Sequence, residues 1–388
     1  MEKINRVIFF FGTKFTQRDY RRFGFEIIQK RGYSVEAWDF TPWWKPYYSE
    51  NYTPPDPIEF SGHKVFKTSK KTKVALASLS KTDIIFDPWS ISFSDKFYKI
   101  NDVKIGTWLL GLEPNNFDNR NIKYYYDKII ANPFQLIFAL KRKILNMFGF
   151  IRSPDFLLTG GKAAQNHIYY LKNRNKDIIK AHALDYDFYL DKEKDVNIKL
   201  NNISGPFAVF LDEDIPFHPD YLHLEVDAFC PSDIYYPEIN NFFKKFREKT
   251  GLKVVIAAHP RSDYKKRGNP YDNCEIIYNN TISLVKHSQI VLAHMSTSMN
   301  FSIFYNKPII LLDSNKYDKT LKGWIDTKAS ALGLKIINIS KQWNINLNQI
   351  KIEKEKYSLY MDQYIKEPGT PEKYTWDIFC DYLDNLNA

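Results

Sequence analysis

Short apolar runs separated by helical patterns recur along the whole chain, and this alternation predicts parallel α/β sheets. The first run, "RVIFFF", is followed by a helical pattern that stops at Gly32 and then by a second apolar run. Such an opening is typical of a doubly wound sheet. In the first half the apolar runs predict strands at 6–11, 33–40, 83–86, 104–110 and 155–159.

The same alternation begins again after "NISGP" at 202–206. The segment 236–249 has helical periodicity and stops at Gly251, a residue type that commonly ends helices. Apolar runs of the second half predict strands at 207–211, 253–258, 274–278, 289–293 and 307–312. The repetition predicts two Rossmann-like domains of comparable size.

Chain length agrees with this division, because 388 residues are enough for two domains. A weak boundary lies near 190–205. We therefore expect a first domain at 1–200, a second at 201–370 and an amphipathic helix at 371–388. That helix has an apolar face and needs a partner surface, so we expect it to cross back to the first domain. The Pro- and aromatic-rich segment 41–72 shows no period and predicts a long loop or inserted flap.

Composition and charge narrow the class of protein. Hydrophobic residues make up 44% of the chain and charged residues 26%, which is a globular composition. The formal net charge of +10 favours an anionic partner such as a nucleotide, a phosphorylated substrate or an acidic membrane surface. Because the basic residues are scattered and no nucleic-acid-binding motif is present, we expect no nucleic acid partner.

Cysteine usage and the apolar segments bear on location. Cys230, Cys274 and Cys380 are far apart, which predicts neither a metal cluster nor a disulfide framework and favours a reducing cytoplasm. The N-terminal apolar run is too short for a signal peptide or a membrane span. The segment 133–150 combines apolar residues with a Lys-Arg-Lys run. It is either a peripheral contact with an acidic membrane at the inner face of the plasma membrane or an amphipathic core helix.

Polar clusters follow three predicted strands of the second half. Ligands bind at the carboxyl ends of strands in parallel sheets, so the clusters would line one crevice if these strands are neighbours. The three clusters are Asp212, Glu213 and Asp214; His259 and Arg261; and Ser296, Thr297 and Ser298.

The serine cluster stands directly before a predicted helix. Hydroxyl residues at that position cap the helix, and the first backbone N–H groups together with the helix dipole can bind an anion such as phosphate. A plain helix cap is the alternative. His259 precedes Pro260, which forces a turn, so we expect the histidine at the rim of the sheet, where it and Arg261 can contact phosphate. The alternative is a core histidine bonded to a carbonyl group.

These residues carry a family resemblance. "AAHPR" at 257–261, followed by "LAHMSTSMNFSIFYNKPIILL" at 292–312, resembles the HP motif and the serine/threonine motif of bacterial sialyltransferases and capsule polysialyltransferases. The resemblance covers residues 205–315. It implies the GT-B fold, with two Rossmann-like domains facing across a cleft, and inverting transfer of a nonulosonic acid from a CMP-sugar without an obligatory metal or other cofactor. It also implies that His259 holds the donor phosphate and assists the departure of CMP, with Ser296–Ser298 binding the same phosphate.

The chain departs from that family in its acidic motif. The relatives carry an acidic pair followed by glycine in the N-terminal half, where it supplies the general base, whereas here Ile215 follows the acids and the motif lies in the second half. Asp212 and Glu213 are therefore donor-side or domain-interface groups by this interpretation. The base must lie within hydrogen-bond reach of the acceptor hydroxyl, and the candidates are Asp19 and Glu113. An ordinary surface or capping role is the alternative for each.

Other candidates rest on position alone. Tyr278 and Asn279 follow a predicted strand and are candidates for contact with the donor base. Asp185 and Asp187 match the D-x-D pattern of metal-dependent glycosyltransferases, as do Asp212 and Asp214, but that pattern is too short to predict a metal site.

The sequence leaves several functions open. The leading hypothesis is a glycosyltransferase that moves a nonulosonic acid from a CMP-sugar to a surface glycan or lipid-linked glycan acceptor. A GT-B transferase with another donor, a UDP-sugar or a CDP-alditol, is the nearest rival. A non-catalytic nucleotide-binding module is the alternative outside enzymes.

Overall fold

A computed structural model describes residues 3–88, 103–114, 153–194 and 203–388. The chain forms two compact units. Of the described residues, the first unit comprises 3–88, 103–110, 153–182 and 369–388, and the second comprises 111–114, 183–194 and 203–368. The segment 133–150, for which the sequence predicts a membrane-contact or core helix, lies outside the described residues.

The first unit is built on a parallel sheet that has seven strands among the described residues, in the order β3-β2-β1-β4-β5-β6-β7. Adjacent strands pair in parallel throughout. The strands are β1 Arg6–Phe11, β2 Ser34–Asp39, β3 His63–Val65, β4 Asp83–Phe86, β5 Lys104–Leu109, β6 Phe156–Gly160 and β7 Asp177–Ala181. The central strands are buried on both faces, as their continuous apolar runs predict.

Helices connect the strands of the first unit and cover the sheet. The helices are Gln17–Arg22, Phe25–Lys30, Thr41–Trp44, Pro46–Asn51, Ser69–Ala77, Ile168–Asn173 and Thr375–Asn387, with a 3₁₀ turn at Lys162–Asn166. The sequence prediction of a long loop at 41–72 is wrong in part, because this segment contains two short helices and the edge strand β3.

The C-terminal helix Thr375–Asn387 packs within the first unit, as expected from its apolar face. The ring of Trp376 lies 5.3 Å from that of Phe9 and 5.2 Å from that of Phe86, both on central strands. Its indole N–H donates to the carbonyl of Arg22 at 2.8 Å. The helix Thr375–Asn387 therefore covers part of the sheet of the first unit, although it is far from β1 and β4 in the sequence.

The second unit has a parallel sheet of six strands among the described residues, in the order β10-β9-β8-β11-β12-β13. All adjacent pairs are parallel. The strands are β8 Phe207–Leu211, β9 Lys253–Ala257, β10 Glu275–Ile277, β11 Ile290–Ala293, β12 Ile309–Asp313 and β13 Lys335–Asn338.

The helices of the second unit follow the predicted periodicity. The longest of those described, Ser232–Thr250, buries Ile239, Phe242 and Phe246 on one face and ends at Gly251, whose φ of +70° suits glycine. The helices are Leu184–Lys194, Asp220–Leu224, Ser232–Thr250, Tyr264–Arg267, Thr281–His287, Asn300–Phe304, Lys319–Leu332 and Lys354–Tyr360, with 3₁₀ turns at Thr297–Met299 and Leu347–Gln349 and a π turn at Met361–Ile365. In the part of the chain that the structure describes, no helix is long and apolar enough to cross a membrane.

Candidate functional site

The ends of three neighbouring strands form the candidate site in the second unit. β8 lies between β9 and β11, and Leu211 at its end pairs with Ala257 on one side and with Ala293 on the other. Adjacent strands in a sheet are about 4.8 Å apart, so the loops after β9 and β11 stand about 10 Å apart across the end of β8. The structure thus brings the three predicted polar clusters to one edge.

Asp212, directly after β8, holds the loop that follows β9. Its carboxylate is buried and accepts hydrogen bonds from the hydroxyls of Tyr264 and Tyr271, each at 2.8 Å. It also accepts from the backbone N–H groups of His259 at 3.2 Å and Asp214 at 2.9 Å. Burial raises the pKa of Asp212, and these hydrogen bonds oppose the rise. Asp212 therefore stabilises the loop after β9, which carries His259 and is called the histidine loop below.

Glu213 stabilises the loop after β11, which carries Ser296–Ser298 and is called the serine loop below. Its carboxylate accepts a hydrogen bond from the backbone N–H of Met295 at 2.8 Å. Burial raises the pKa of Glu213 to about 7, against the opposing hydrogen bonds from the amides of this loop. A side-chain carboxylate thus already occupies backbone N–H groups next to the serine cluster.

Asp214 completes the acidic cluster and faces a third partner. It has a φ of +48° and accepts a hydrogen bond from Nη2 of Arg267 at 2.5 Å. Burial, together with the charge of Asp212, raises its pKa to about 6, while Arg267 acts in the opposite direction. Asp212 and Asp214 therefore tie the end of β8 to the loop after β9 and the helix Tyr264–Arg267, and Glu213 ties it to the loop after β11.

His259 lies at the rim of the sheet, half-buried, in a His-Pro-Arg turn. The backbone N–H of Arg261 donates to its Nδ1 at 3.3 Å. Because Nδ1 accepts this hydrogen bond, the neutral imidazole carries its hydrogen on Nε2. The turn therefore makes Nε2 a hydrogen-bond donor, as binding of a phosphate oxygen requires.

Arg261 belongs to a small charged cluster beside His259. Its Nη2 lies 2.9 Å from Oδ1 of Asp220 and 3.4 Å from Nε2 of His218. Burial opposes ionisation of Asp220, but the charge and hydrogen bond of Arg261 outweigh it and lower the pKa of that carboxyl. The guanidinium that was predicted to contact substrate thus also forms an ion pair within the unit.

His218 is a residue that the sequence analysis did not single out. Its imidazole lies 4.8 Å from that of His259, measured between ring centroids. The signal that could have found it is the repetition of His-Pro, at 218–219 and at 259–260.

The serine cluster opens a short 3₁₀ turn, Thr297–Met299, which continues into the helix Asn300–Phe304. The hydroxyl of Ser296 caps this turn by accepting from the backbone N–H of Ser298 at 3.3 Å. Thr297 is exposed, and Ser296 and Ser298 are partly buried. The hydroxyls therefore stand at the edge of the sheet and not in the core.

The buried His294 fixes the start of the serine loop. Its Nδ1 lies 2.7 Å from the carbonyl oxygen of Leu312, and its Nε2 lies 3.1 Å from the hydroxyl of Tyr235. Burial lowers the pKa of His294 to about 4, so the ring is neutral at physiological pH. Its N–H donates to the carbonyl and its other nitrogen accepts from the tyrosine, which is a bracing arrangement.

Tyr278 and Asn279 lie outside the group of residues at the ends of β8, β9 and β11. They follow β10, which is separated from β8 by β9. The Nζ of Lys265 lies 5.5 Å from the ring of Tyr278. Asn279 is exposed and has a φ of +54°, a turn conformation that asparagine tolerates.

The two candidate bases have local partners. Asp19 is buried in the first turn of helix Gln17–Arg22 and forms a reciprocal capping pair with Thr16, whose hydroxyl donates to Oδ2 at 2.9 Å. Burial raises the pKa of Asp19. Glu113 lies in the second unit and forms an ion pair with the buried Lys328. Both contacts fit the capping or surface alternatives that the sequence left open.

Asp185 and Asp187, which match the D-x-D pattern, lie in the first turn of helix Leu184–Lys194. Asp185 accepts a hydrogen bond from the side chain of Asn300 at 3.0 Å. Within the described ranges, no three His, Cys, Asp or Glu residues are grouped as a metal ion would require.

No protein-family model matches this chain, and no curated protein matches it either. Solved structures do match over nearly the whole length. The calicheamicin glycosyltransferase CalG4 is 11% identical with a TM-score of 0.51, and the match covers 100% of both chains. The wall teichoic acid polymerase TagF, in a structure soaked with CDPG, is 13% identical with a TM-score of 0.54, and the match covers 98% of this chain and 88% of TagF.

This chain has the GT-B fold. The two Rossmann-like domains predicted from the alternating pattern and the GT-B fold implied by the resemblance are therefore confirmed. At 11% to 13% identity the likeness establishes the fold and not the activity. The resemblance to sialyltransferases stays a prediction that rests on the His259 and Ser296–Ser298 motifs.

Proposed function

We propose that the chain is a GT-B glycosyltransferase that binds a nucleotide-activated donor at the ends of β8, β9 and β11. The observation that carries this proposal is the placement of His259 and the serine loop on the two sides of β8. Each is braced by an adjacent carboxylate, Asp212 or Glu213. Such bracing holds hydrogen-bond donors in place before the ligand arrives, which is how sites stabilise developing charge.

The chemistry follows from that placement. An acceptor hydroxyl attacks the anomeric carbon of the donor, its proton passes to a base, and the bond between that carbon and the phosphate oxygen breaks. The nucleotide leaves with the electron pair, so negative charge grows on its phosphate. The Nε2–H of His259 and the hydroxyls of Ser296 and Ser298 donate to those oxygens. Asp19 and Glu113 remain the predicted candidates for the base.

We propose a CMP-activated nonulosonic acid as the donor, without a metal ion or other cofactor. Support comes from the "AAHPR" and "LAHMSTS" motifs, which resemble those of bacterial sialyltransferases. A donor with a cytidine diphosphate is the second candidate, because the TagF structure with the TM-score of 0.54 was soaked with CDPG. A UDP-sugar is the remaining rival.

The acceptor and the cellular location are proposals of the same kind. A surface glycan or lipid-linked glycan is the acceptor that suits this donor class, at the cytoplasmic side of the membrane. The segment 133–150, which would contact an acidic membrane, lies outside the described residues.

A nucleotide panel tests the proposal. Thermal unfolding is measured with CMP, CDP, UDP and GDP, and release of CMP from CMP-N-acetylneuraminic acid is followed with the wild type and His259→Asn. We expect CMP to raise the unfolding temperature most, and the variant to release CMP about 10²- to 10⁴-fold more slowly. His287→Asn is the matched control, because His287 is exposed at the end of helix Thr281–His287 and precedes β11.

The outcomes separate the candidates. If UDP or CDP raises the unfolding temperature more than CMP does, the donor is the corresponding rival and not a CMP-sugar. Stabilisation by none of the nucleotides contradicts the proposal as a whole. Equal rates for His259→Asn and His287→Asn would remove His259 from the mechanism.

A further inference from the structure

Two turns of the second unit share one local geometry. Both consist of His-Pro followed by a charged residue, His218-Pro219-Asp220 and His259-Pro260-Arg261. In each, the backbone N–H of the third residue donates to Nδ1 of the histidine, at 3.2 Å in the first turn and 3.3 Å in the second. The turn at His218 therefore has the same local geometry as the turn at His259, the residue that is predicted to bind phosphate.

The two turns are also packed against each other. Their imidazole rings are 4.8 Å apart with an interplanar angle of 52°. Their third residues form an ion pair, since Nη2 of Arg261 lies 2.9 Å from Oδ1 of Asp220. The side chain of His218 is 20% exposed, so the pair stands at the surface of the unit.

The hydrogen bonds within this pair favour an anion. Because each Nδ1 accepts from the backbone, both neutral rings carry a hydrogen on Nε2. Nε2 of His218 lies 3.4 Å from Nη2 of Arg261; a guanidinium only donates, so with the hydrogen on Nε2 this contact is not a hydrogen bond and both groups are donors. An acceptor oxygen beside them would receive hydrogen bonds from both. Asp220 supplies one negative charge to a cluster of two imidazoles and one guanidinium.

We propose that His218 is a second imidazole of the donor site, and that it binds the same nucleotide phosphate as His259. This inference rests on the proposed function, since the anion is the phosphate of the donor nucleotide. The ring separation supports this role, because two imidazoles 4.8 Å apart can both lie within hydrogen-bond reach of one phosphate group.

His218→Asn is the sharpest variant. The asparagine side chain retains an oxygen near the position of Nδ1, which can accept from the backbone N–H of Asp220, but it lacks a donor at the position of Nε2. Calorimetry measures CMP and cytidine binding to the wild type, His218→Asn, His259→Asn and the control His287→Asn. We expect CMP to bind at least tenfold more weakly to both site variants, and cytidine to bind equally to all four proteins.

A second measurement needs no substitution. Histidine labelled with ¹³C at Cε1 is observed by NMR in the wild type as CMP is added, and the signals are assigned with the variants or with His218→Gln. We expect two signals to shift together, those of His218 and His259. Titration with inorganic phosphate should shift the same two signals, which shows that the phosphate is the group recognised.

The results distinguish this inference from the proposed function. If the wild type binds CMP, His259→Asn weakens it tenfold and His218→Asn binds like the wild type, the assignment of His218 is wrong and the proposed function stands. A CMP titration that shifts the His259 signal alone leads to the same conclusion. If the wild type binds no nucleotide and no inorganic phosphate, both are wrong.

Discussion

The two parallel sheets are built alike, but the candidate carboxylate Asp19 of the first unit and the acids after β8 in the second are held differently. In the first unit, Asp19 bonds to Thr16, three residues away, and the contact only begins a helix. In the second unit, Asp212 and Glu213 bond to backbone groups 47 and 82 residues away. Contacts between residues that distant in sequence fix loops relative to one another. Among the candidate residues, the acids after β8 are therefore the ones whose contacts hold two loops in place.

The largest effect is expected at Asp212. Asp212→Ala leaves two buried tyrosine hydroxyls and two backbone N–H groups without their acceptor, and should lower the free energy of unfolding by about 4 kcal/mol. Urea unfolding followed by circular dichroism measures the loss. The control is Asp263→Ala, which removes a partly exposed ion pair with Lys266 and should cost less than about 1 kcal/mol. Equal losses would show that Asp212 does not brace the histidine loop.

The next effect tests apolar packing in the first unit. Gly24 has a φ of +58°, and a Cβ atom there would lie 2.3 Å from Cδ1 of Trp376. Gly24→Ala should therefore displace the C-terminal helix and cost about 3 kcal/mol in the same unfolding measurement.

Gly32 provides the matched comparison for Gly24. Its φ is +91°, but a Cβ atom there would meet nothing within 4 Å. Gly32→Ala should cost only the backbone strain, about 1 kcal/mol. A Gly24→Ala variant that is no less stable than Gly32→Ala would contradict the packing of Trp376.

A smaller effect is expected on the pH dependence of the free energy of unfolding. The folded-state pKa of Glu213 is raised to about 7, whereas an unfolded glutamate has a pKa of about 4.3. Between these values the folded protein binds a proton that the unfolded chain lacks, so its stability falls as the pH rises from about 4 to 7.

Glu213→Gln should remove part of that decline, about 1 to 3 kcal/mol over the interval. Thermal unfolding at pH 5 and pH 8 measures it, with the exposed Glu248→Gln as control. Asp214 has the same sign, so a slope remains in the variant. Parallel pH curves for the wild type and Glu213→Gln would contradict the placement of this carboxylate.

The smallest effect is expected at Thr16. Thr16→Ala removes the cap of helix Gln17–Arg22 and should cost about 1 kcal/mol. Nucleotide binding to the second unit should not change, because the contact is local. A loss of CMP affinity in calorimetry would give the first unit a part in donor binding and weaken the contrast between the units.

Most of the fold could be predicted because buried parallel strands have continuous apolar runs. Ten strands were predicted, and the structure places all ten within two residues of those bounds. The strands that were missed, β3, β7 and β13, are edge strands. Edge strands are half-exposed, so residues such as Asp177 and Lys335 interrupt the apolar pattern.

Site residues could be predicted only where the type of side chain and its position after a strand together indicate a role. His259 and the serine cluster follow strands directly, and that position could be read from the sequence. The hydrogen bonds of Asp212 and Glu213 could not be read from the sequence, because their partners are dozens of residues away. His218 was missed because it follows a loop and not a strand, and only the fold brings its ring to His259.

The C-terminal helix has a consequence for the order of folding. Ribosomes deliver the chain from its first residue, and domains generally fold as they emerge. The second unit is nearly continuous in sequence and has all its strands before residue 369. The first unit reaches its full packing only after Trp376 has been synthesised, because this ring packs on Phe9 and Phe86, which come far earlier in the chain.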